Sequence, residues 1–401
     1  MSSSTTEEDS GRPRRKRQRV SSTNTDDSNV DAGDEADSYD RGKPLDPSLL
    51  DYLKRLSEQI ETEILSDANN EDSSLMAASL IKTIHGNIYR TIVNRQGAKV
   101  IEKLSPYFSL ENCNEILTSI KPAFHNLLCD RQASHACEAI INRTLTFSSS
   151  SILIECLNSL GENPPLTVAN NFSTHPESYW PIIFNDERGS FIVRTLLKFD
   201  QTNNSSKTII TDFLPIIVNS LNSLKQADMI ELTFNLSGSP TLNELLLTLV
   251  SRSLNDLFSI LIKNILLVEL INDGKGFIAD DESKHHVLSL MQDRVGSHLL
   301  EGILKSFIKL NELNLISSFD KNFISQSFLT LALDNRANHV LQEFLQIVHK
   351  RKIINAYCEE IQAKQIKELI GQSNISLYQF TVIFILNHFP PCLLLPRVLI
   401  L

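Results

Sequence analysis

DRVGSHLLEGIL, residues 293–304, sets apolar Leu299, Leu300, Ile303 and Leu304 at helical spacing behind an opening of Asp, Arg, Gly, Ser and His. On a helix, residues i and i+4 share a face and i+1 lies beside them, so Ser297, His298 and Glu301 stand together. A near copy, DRQASHACEAII, occupies residues 130–141. Aligning the chain on this opening gives six copies: NRQGAKVIEKL from Asn94, DRQASHACEAI from Asp130, DERGSFIVRTL from Asp186, NLSGSPTLNEL from Asn235, DRVGSHLLEGI from Asp293 and DNRANHVLQEF from Asp334. The openings at 94, 130, 186, 235, 293 and 334 stand 36, 56, 49, 58 and 41 residues apart. The shortest interval sets the unit, and the longer ones carry insertions.

The frame has a physical reading. Asp and Asn are strong N-caps, because a side-chain oxygen can accept from an otherwise free backbone N–H. Gly or Ala three residues later leaves room for a neighbouring helix to approach. The apolar pair begins a stripe that must be buried. A single helix of this kind cannot bury its apolar face alone, so stacked copies must share one continuous core. The expected architecture is an all-α solenoid, right-handed and curved, with irregular insertions.

Composition agrees. The chain has 401 residues, 41% hydrophobic, and its 13 Gly and 14 Pro are too few for an all-β protein rich in tight turns. The six cysteines are scattered with no CxxC pair, which argues for a reducing compartment and against a structural zinc site. A net charge of −10 argues against a nucleic-acid binder that relies on its overall field, but leaves room for a local basic face.

Three regions follow. Residues 1–45 are poor in apolar side chains and are expected to be a disordered tail. Within it GRPRRKRQRV (11–20) holds six Arg or Lys and fits a nuclear localisation signal, whereas DDSNVDAGDEADSYD (26–40) holds seven acids. Residues 46–379 are expected to form the helical repeat domain, starting with a stripe of Leu49, Leu50, Leu53, Leu56, Ile60 and Ile64. FSSSS (147–151), LGENPP (160–165), DQTNNSSK (200–207) and NDGKG (272–276) read as loops or inserts. Residues 380–401 form an apolar tail broken by Asn387, His388, Pro390, Pro391, Pro396 and Arg397, so no uninterrupted membrane span is expected there; a truncated repeat or an atypical terminus fits better.

Each copy offers a short residue, a flat or bulky one and a hydrogen-bonding one on a common surface. That geometry suits a flat ligand held by its edge and stacked on its face, such as a base of single-stranded RNA. With these residues the chain resembles the pumilio (PUF) repeat family over roughly residues 75–350. The resemblance implies that the first and third variable residues bond the base edge and the second stacks. Carried over, Ser134 with Glu138 is similar to a guanine reader with His135 stacking, and so is Ser297 with Glu301 and His298. Asn338 with Gln342 is similar to a uracil reader with His339 stacking. Ala98, Lys99 and Glu102 lack the short polar residue. Ser190, Phe191 and Arg194 keep a stacker but place Arg where an acceptor is usual. Ser239, Pro240 and Asn243 have no stacker.

Irregular spacing, degenerate copies and the phrase GSHLLE resemble the divergent nucleolar branch of that family, the nucleolar protein nine family. This implies a monomeric protein of the nucleus and nucleolus that binds small-subunit pre-rRNA, with pre-ribosomal particle proteins as possible neighbours, and that controls rRNA processing in ribosome biogenesis. Members are longer, so this chain is expected to be incomplete at its C-terminus. Two rivals stand beside this reading: a cytoplasmic pumilio-type mRNA regulator, and a HEAT- or armadillo-like scaffold for proteins.

Five copies carry Arg in the turn after the cap, namely Arg95, Arg131, Arg188, Arg294 and Arg336. These either contact phosphate or pair with the neighbouring acid. SHACE (134–138) has the look of a deaminase fragment, but no PCxxC follows and the His–Glu spacing is wrong. His285 and His286 beside Asp280, Asp281 and Glu282 read as a polar insert rather than a metal site. Gly274-Lys-Gly276 is too short for a phosphate loop. No enzyme, cofactor or metal is expected.

Overall fold

In a computed structural model, residues 44–64, 70–147, 150–164, 172–173, 175–202, 209–271, 276–325 and 327–350 are described. They fall in the second of two units, which starts at Lys43. The basic and acidic blocks of the N-terminal tail and the apolar segment 380–401 lie outside the described residues.

All six openings do what their residue types predict. The side-chain oxygen Oδ1 of Asn94 accepts from the N–H of Gln96 and Gly97 at 2.9 and 3.2 Å. Asp130 does the same with Gln132 and Ala133 (2.7 and 2.9 Å), and Asp186 with Arg188 and Gly189 (both 2.8 Å). Asn235 takes Ser237 and Gly238, Asp293 takes Val295 and Gly296, and Asp334 takes Arg336 and Ala337, all at 2.7–2.9 Å. The same residue directly follows the preceding helix as its C-cap and has extended backbone angles, for example φ −86°, ψ 145° at Asp293 after helix Asp281–Gln292. It therefore stops one helix and starts the next with a sharp change of direction.

The helices that follow are Arg95–Leu104, Ala133–Leu145, Gly189–Thr202, Gly238–Ser251, Gly296–Leu310 and Ala337–Lys350, here called the motif helices. Each packs on the next in chain order, and Pro47–Ile64 packs on the first. Their apolar faces join one core that runs from Leu45 to Ile347, so Leu45, which the sequence places in the tail, is already buried. The third helices of the repeats form a second layer, in which Leu110–Ile120 packs on Ser151–Ser159 and Leu214–Asn222 on Asn255–Leu266. The described chain is thus an all-α solenoid with a shared core.

The close approach that the Gly or Ala of the frame serves is that of the short helix just before it. A Cβ on Gly296 would lie 2.6 Å from Leu290 Cδ2 and 2.9 Å from the Leu290 carbonyl oxygen. On Gly189 it would lie 2.8 Å from Ile183 Cγ2, and on Gly97 and Gly238 it would overlap Thr91 and Leu232.

Three expectations need correction. The stretch around NDGKG is not flanked by helices alone: two short antiparallel strands, Glu269–Ile271 and Gly276–Ile278, pair in the register Glu269↔Ile278, Leu270↔Phe277 and Ile271↔Gly276, and residues 272–275 between them lie outside the described residues. The polar insert read into 280–286 is the start of helix Asp281–Gln292, capped by Asp280 through the N–H of Ser283 at 2.8 Å. His286 there is buried, holds the Ile265 carbonyl at 3.0 Å and stands edge-on to Phe234. Finally, Ser150 of the FSSSS stretch caps helix Ser151–Ser159 rather than merely linking helices.

Replacing Asp293 by Ala is expected to lower stability by about 1–2 kcal/mol, whereas Asp293→Asn stays near wild type. Gly238→Ala, with Leu232 in the way of its Cβ, is expected to cost about 1–3 kcal/mol. Urea unfolding of each variant measures both.

Candidate nucleic-acid interface

Because the motif helices share one cap geometry, the residues four, five and eight positions after each cap recur in the same setting. Their burial is graded. The first residues are the most buried: Ala98 is 5% exposed, Ser134 4%, Ser190 0%, Ser239 1% and Ser297 5%, with Asn338 half-buried. The second residues are exposed at Lys99, His135, Phe191, His298 and His339, while Pro240 is half-buried. The third residues Glu138, Arg194, Asn243, Glu301 and Gln342 are half-buried, and Glu102 is exposed. The expectation of three equally exposed residues is therefore corrected: the small first residue is the floor between successive helices, and only the second stands clear.

The structure brings two copies together in one place. Arg131, Ser134, His135, Glu138, Glu187, Arg188, Phe191 and Ile192 line a cleft of about 350 Å³ between the second and third motif helices. The Ser134 hydroxyl at its floor is buried without a hydrogen-bond partner. Glu138 accepts from Thr195 Oγ1 of the third motif helix at 2.9 Å, which fixes its carboxylate at the wall. His135 and Phe191 are the exposed rings of the two walls.

The remaining copies differ in what they leave available. Asn338 Oδ1 and Asn243 Oδ1 are also buried without partners. Asn243 lies against Gly302 of the next motif helix, where even a Cβ would collide with its carboxamide. Ser239 donates to the Val295 carbonyl at 3.4 Å, so this copy is tied into its neighbour. Ser190 and Ser297 donate to the carbonyls of Glu187 and Arg294 at 3.1 and 3.3 Å. The Arg194 guanidinium sits 4.2 Å from the centre of the Phe191 ring, and burial holds its pKa below the ordinary arginine value. His298 Nδ1 is 3.5 Å from Glu301, whose other oxygen is 3.9 Å from Lys305; Lys305 also reaches Glu343 on the last motif helix at 3.9 Å.

In the first copy, Lys99 is not free. It and Lys103 each lie 2.8 Å from Glu61 of helix Pro47–Ile64, and the two ammonium groups hold that carboxyl down at about 2. Helix Pro47–Ile64 is a further rung that the six-copy alignment missed. Asp46 caps it, accepting from Ser48 N–H at 2.8 Å. Leu49 in place of Gly or Ala, and Leu50, Asp51 and Lys54 at the variable positions, hid it; the Asp cap was the one remaining signal.

The five arginines of the turns do not pair with their neighbouring acids. Among the described residues no carboxylate lies within 4 Å of the guanidinium of Arg95, Arg131, Arg188, Arg294 or Arg336. The described residues also contain no group of three acidic, His or Cys side chains able to hold a metal ion, and no helix long and apolar enough to cross a membrane.

Replacing both Lys99 and Lys103 by Met is expected to return Glu61 from about 2 towards the ordinary 4.5, read by NMR titration of its side-chain carboxyl. In the wild-type chain the contribution of this carboxylate is present above pH 4.5 and is lost as pH falls towards 2.

Comparison with known proteins agrees with this geometry. A model of the NOP9-like PUF repeat domain matches residues 198–383. Nucleolar protein 9 of Ajellomyces dermatitidis (strain ER-3 / ATCC MYA-2586) is 22% identical over 354 residues, which make up 77% of this chain and 50% of that protein. The chain thus spans about half the length of the curated relative it matches. Among solved structures, APUM23 with GGAAUUGACGG superposes with a TM-score of 0.61 at 18% identity, covering 84% of this chain and 63% of that one. The Puf3 RNA-binding domain bound to a Cox17 RNA 3′ UTR recognition sequence superposes with a TM-score of 0.54 at 13% identity, covering 84% of each chain. At such identities the likeness speaks for the fold. The described residues share the fold of pumilio-type repeat solenoids, and residues 198–383 match the NOP9-like PUF repeat domain.

Proposed function

We propose that this chain binds single-stranded RNA along its motif helices, one base to each competent rung, and that its target is small-subunit pre-rRNA in the nucleolus. The observation that carries the reading is the pairing of unsatisfied and exposed groups at the variable positions. Five buried side-chain polar atoms among the described residues lack a partner, and three of them, on Ser134, Asn243 and Asn338, belong to the triplets. An unsatisfied buried polar atom costs about 1–3 kcal/mol, a cost that a base edge would relieve. Beside Ser134 and Asn338 stand the exposed rings of His135 and His339.

The nucleolar part rests on the name of the relative from Ajellomyces, the basic block at residues 12–19, and the RNA carried by APUM23. The protein acts by occupancy, holding RNA in one conformation or covering a site from a nuclease. Deleting residues 11–20 is expected to abolish nuclear accumulation of a fluorescent fusion. Continued nuclear signal would remove that block from the reading and leave the cytoplasmic alternative open.

Changing His135, His298 and His339 together to Ala is expected to weaken binding to a G- and U-containing single-stranded RNA by about 1–3 kcal/mol at each rung engaged. Unchanged affinity would falsify the stacking role. Ser297→Asn combined with Glu301→Gln is expected to move the preference at one nucleotide from G towards U, measured by competition between RNAs differing at that base.

A further inference from the structure

Arg131 and Arg188 line the same cleft as Ser134, His135, Glu138 and Phe191, and neither takes part in the stacking or edge contacts described above. We propose that the arginines of the cap turns form a row that binds successive phosphates of the RNA backbone while the bases lie on the triplets. This rests on the RNA-binding reading of the triplets and adds to it the path of the backbone, along the N-terminal ends of the motif helices.

Three observations carry it. The first is the lack of partners. Lys99, Lys103, Lys198, Arg252 and Lys305, on or beside the motif helices, each have an acid within 4 Å. The five turn arginines have none among the described residues, and Arg95, Arg131, Arg294 and Arg336 are exposed. The cap acids beside four of them already hold two backbone N–H groups each. Arg336 instead donates to the Gln292 carbonyl of the preceding repeat at 3.3 Å, a bond to a neutral acceptor that orients the guanidinium without neutralising it.

The second observation is the place. Arg131 and Arg188 line the same cleft as the Ser134 hydroxyl, which has no partner and whose residue is 4% exposed, so charged residues and an unsatisfied polar atom share one concavity. Guanidinium forks suit phosphate oxygens.

The third is a correlation within the chain. Two rungs lack the arginine. The fourth copy has Leu236 there, 78% exposed, and the rung of helix Pro47–Ile64 has Pro47 and Ser48. Those rungs also lack a stacking residue, with Pro240 and Asp51 at the second position. The four rungs with an exposed ring at the second position, His135, Phe191, His298 and His339, all carry the arginine, and the first copy keeps Arg95 beside Lys99, which is bound to Glu61.

The test is the salt dependence of binding of the full chain to a G- and U-containing single-stranded RNA. Each phosphate contact on a single strand contributes about 0.7 to the slope of log K against log salt. R131Q combined with R188Q is expected to flatten the slope by about 1.4, with base preference at the Ser297 rung unchanged. L236R is expected to steepen it by about 0.7, a gain that a misfolded variant could not give. Binding with an unaltered slope in both variants overturns the phosphate row alone. An equal flattening by K309Q, at an exposed lysine in the last turn of the fifth motif helix, also overturns it, by assigning the effect to the general field. Failure of the wild-type chain to bind RNA at any salt removes the underlying reading as well.

Discussion

Everything in this architecture depends on one oxygen per repeat. Where a short helix ends, the Oδ1 of an Asp or Asn accepts two backbone N–H groups of the turn that opens the next helix, and its own carbonyl accepts from the residue four further on. At Asp293 these bonds reach Val295, Gly296 and Ser297. The cap thereby fixes where residue one of the motif helix begins. Once that is fixed, the residues four, five and eight positions on point the same way in every rung. A capping interaction is worth about 1 kcal/mol. In a linear array the stability is close to a sum over repeats and their interfaces, so six such contributions matter together.

The small residue after the cap completes the device. At Gly296, any side chain would meet Leu290 of the preceding helix, and Ala133 and Ala337 at the same place are fully buried. The short helix can then lie close over the start of the motif helix. That closeness sets the rung at a constant height, so the triplets of adjacent rungs can meet in a shared cleft such as the one between Ser134 and Phe191. Longer-range ties fasten individual joints. Asp200, fully buried, is held by Arg252 at 2.7 Å and Thr211 at 3.0 Å, linking the third and fourth motif helices.

What the sequence made legible was what local chemistry dictates. The cap, the small residue and the apolar stripe are each decided within ten residues, and they sufficed for the solenoid and for its six openings. Where the outcome depends on a neighbour, sequence reading fell short. Nothing in residues 47–54 says that this helix lies on Arg95–Leu104; only packing does, and so a rung went unseen. Ser134 and Ser297 stand on an exposed helix face in an isolated helix, but in the assembled array both are buried. Lys99 reads as a free cation until Glu61, 38 residues earlier, is brought to 2.8 Å. The strand pair Glu269–Ile271 with Gly276–Ile278 depends on two short segments finding each other, although their apolar residues on either side of a Gly-containing stretch could have suggested it.

The charges of the interface raise a question that its geometry answers. In the proposed RNA-binding role an edge reader for guanine must be an acceptor, so Glu138 and Glu301 would place negative charge on a surface facing a polyanion, in a chain that already carries −10. At physiological salt, interactions beyond about 8 Å are screened, so the balance is struck within each rung and not over the whole chain. Glu301 is flanked by His298 at 3.5 Å and Lys305 at 3.9 Å, and Glu138 is bonded to Thr195 and shares its cleft with Arg131 and Arg188. Each acceptor thus comes with a donor or a cation that offsets it locally while leaving its other lone pairs free. The rung of Asn243, with neither an acid to offset nor a turn arginine, is the one packed against its neighbour's glycine. The proposed electrostatic and steric demands of base recognition would relax together there, where the side chain packs into the array instead.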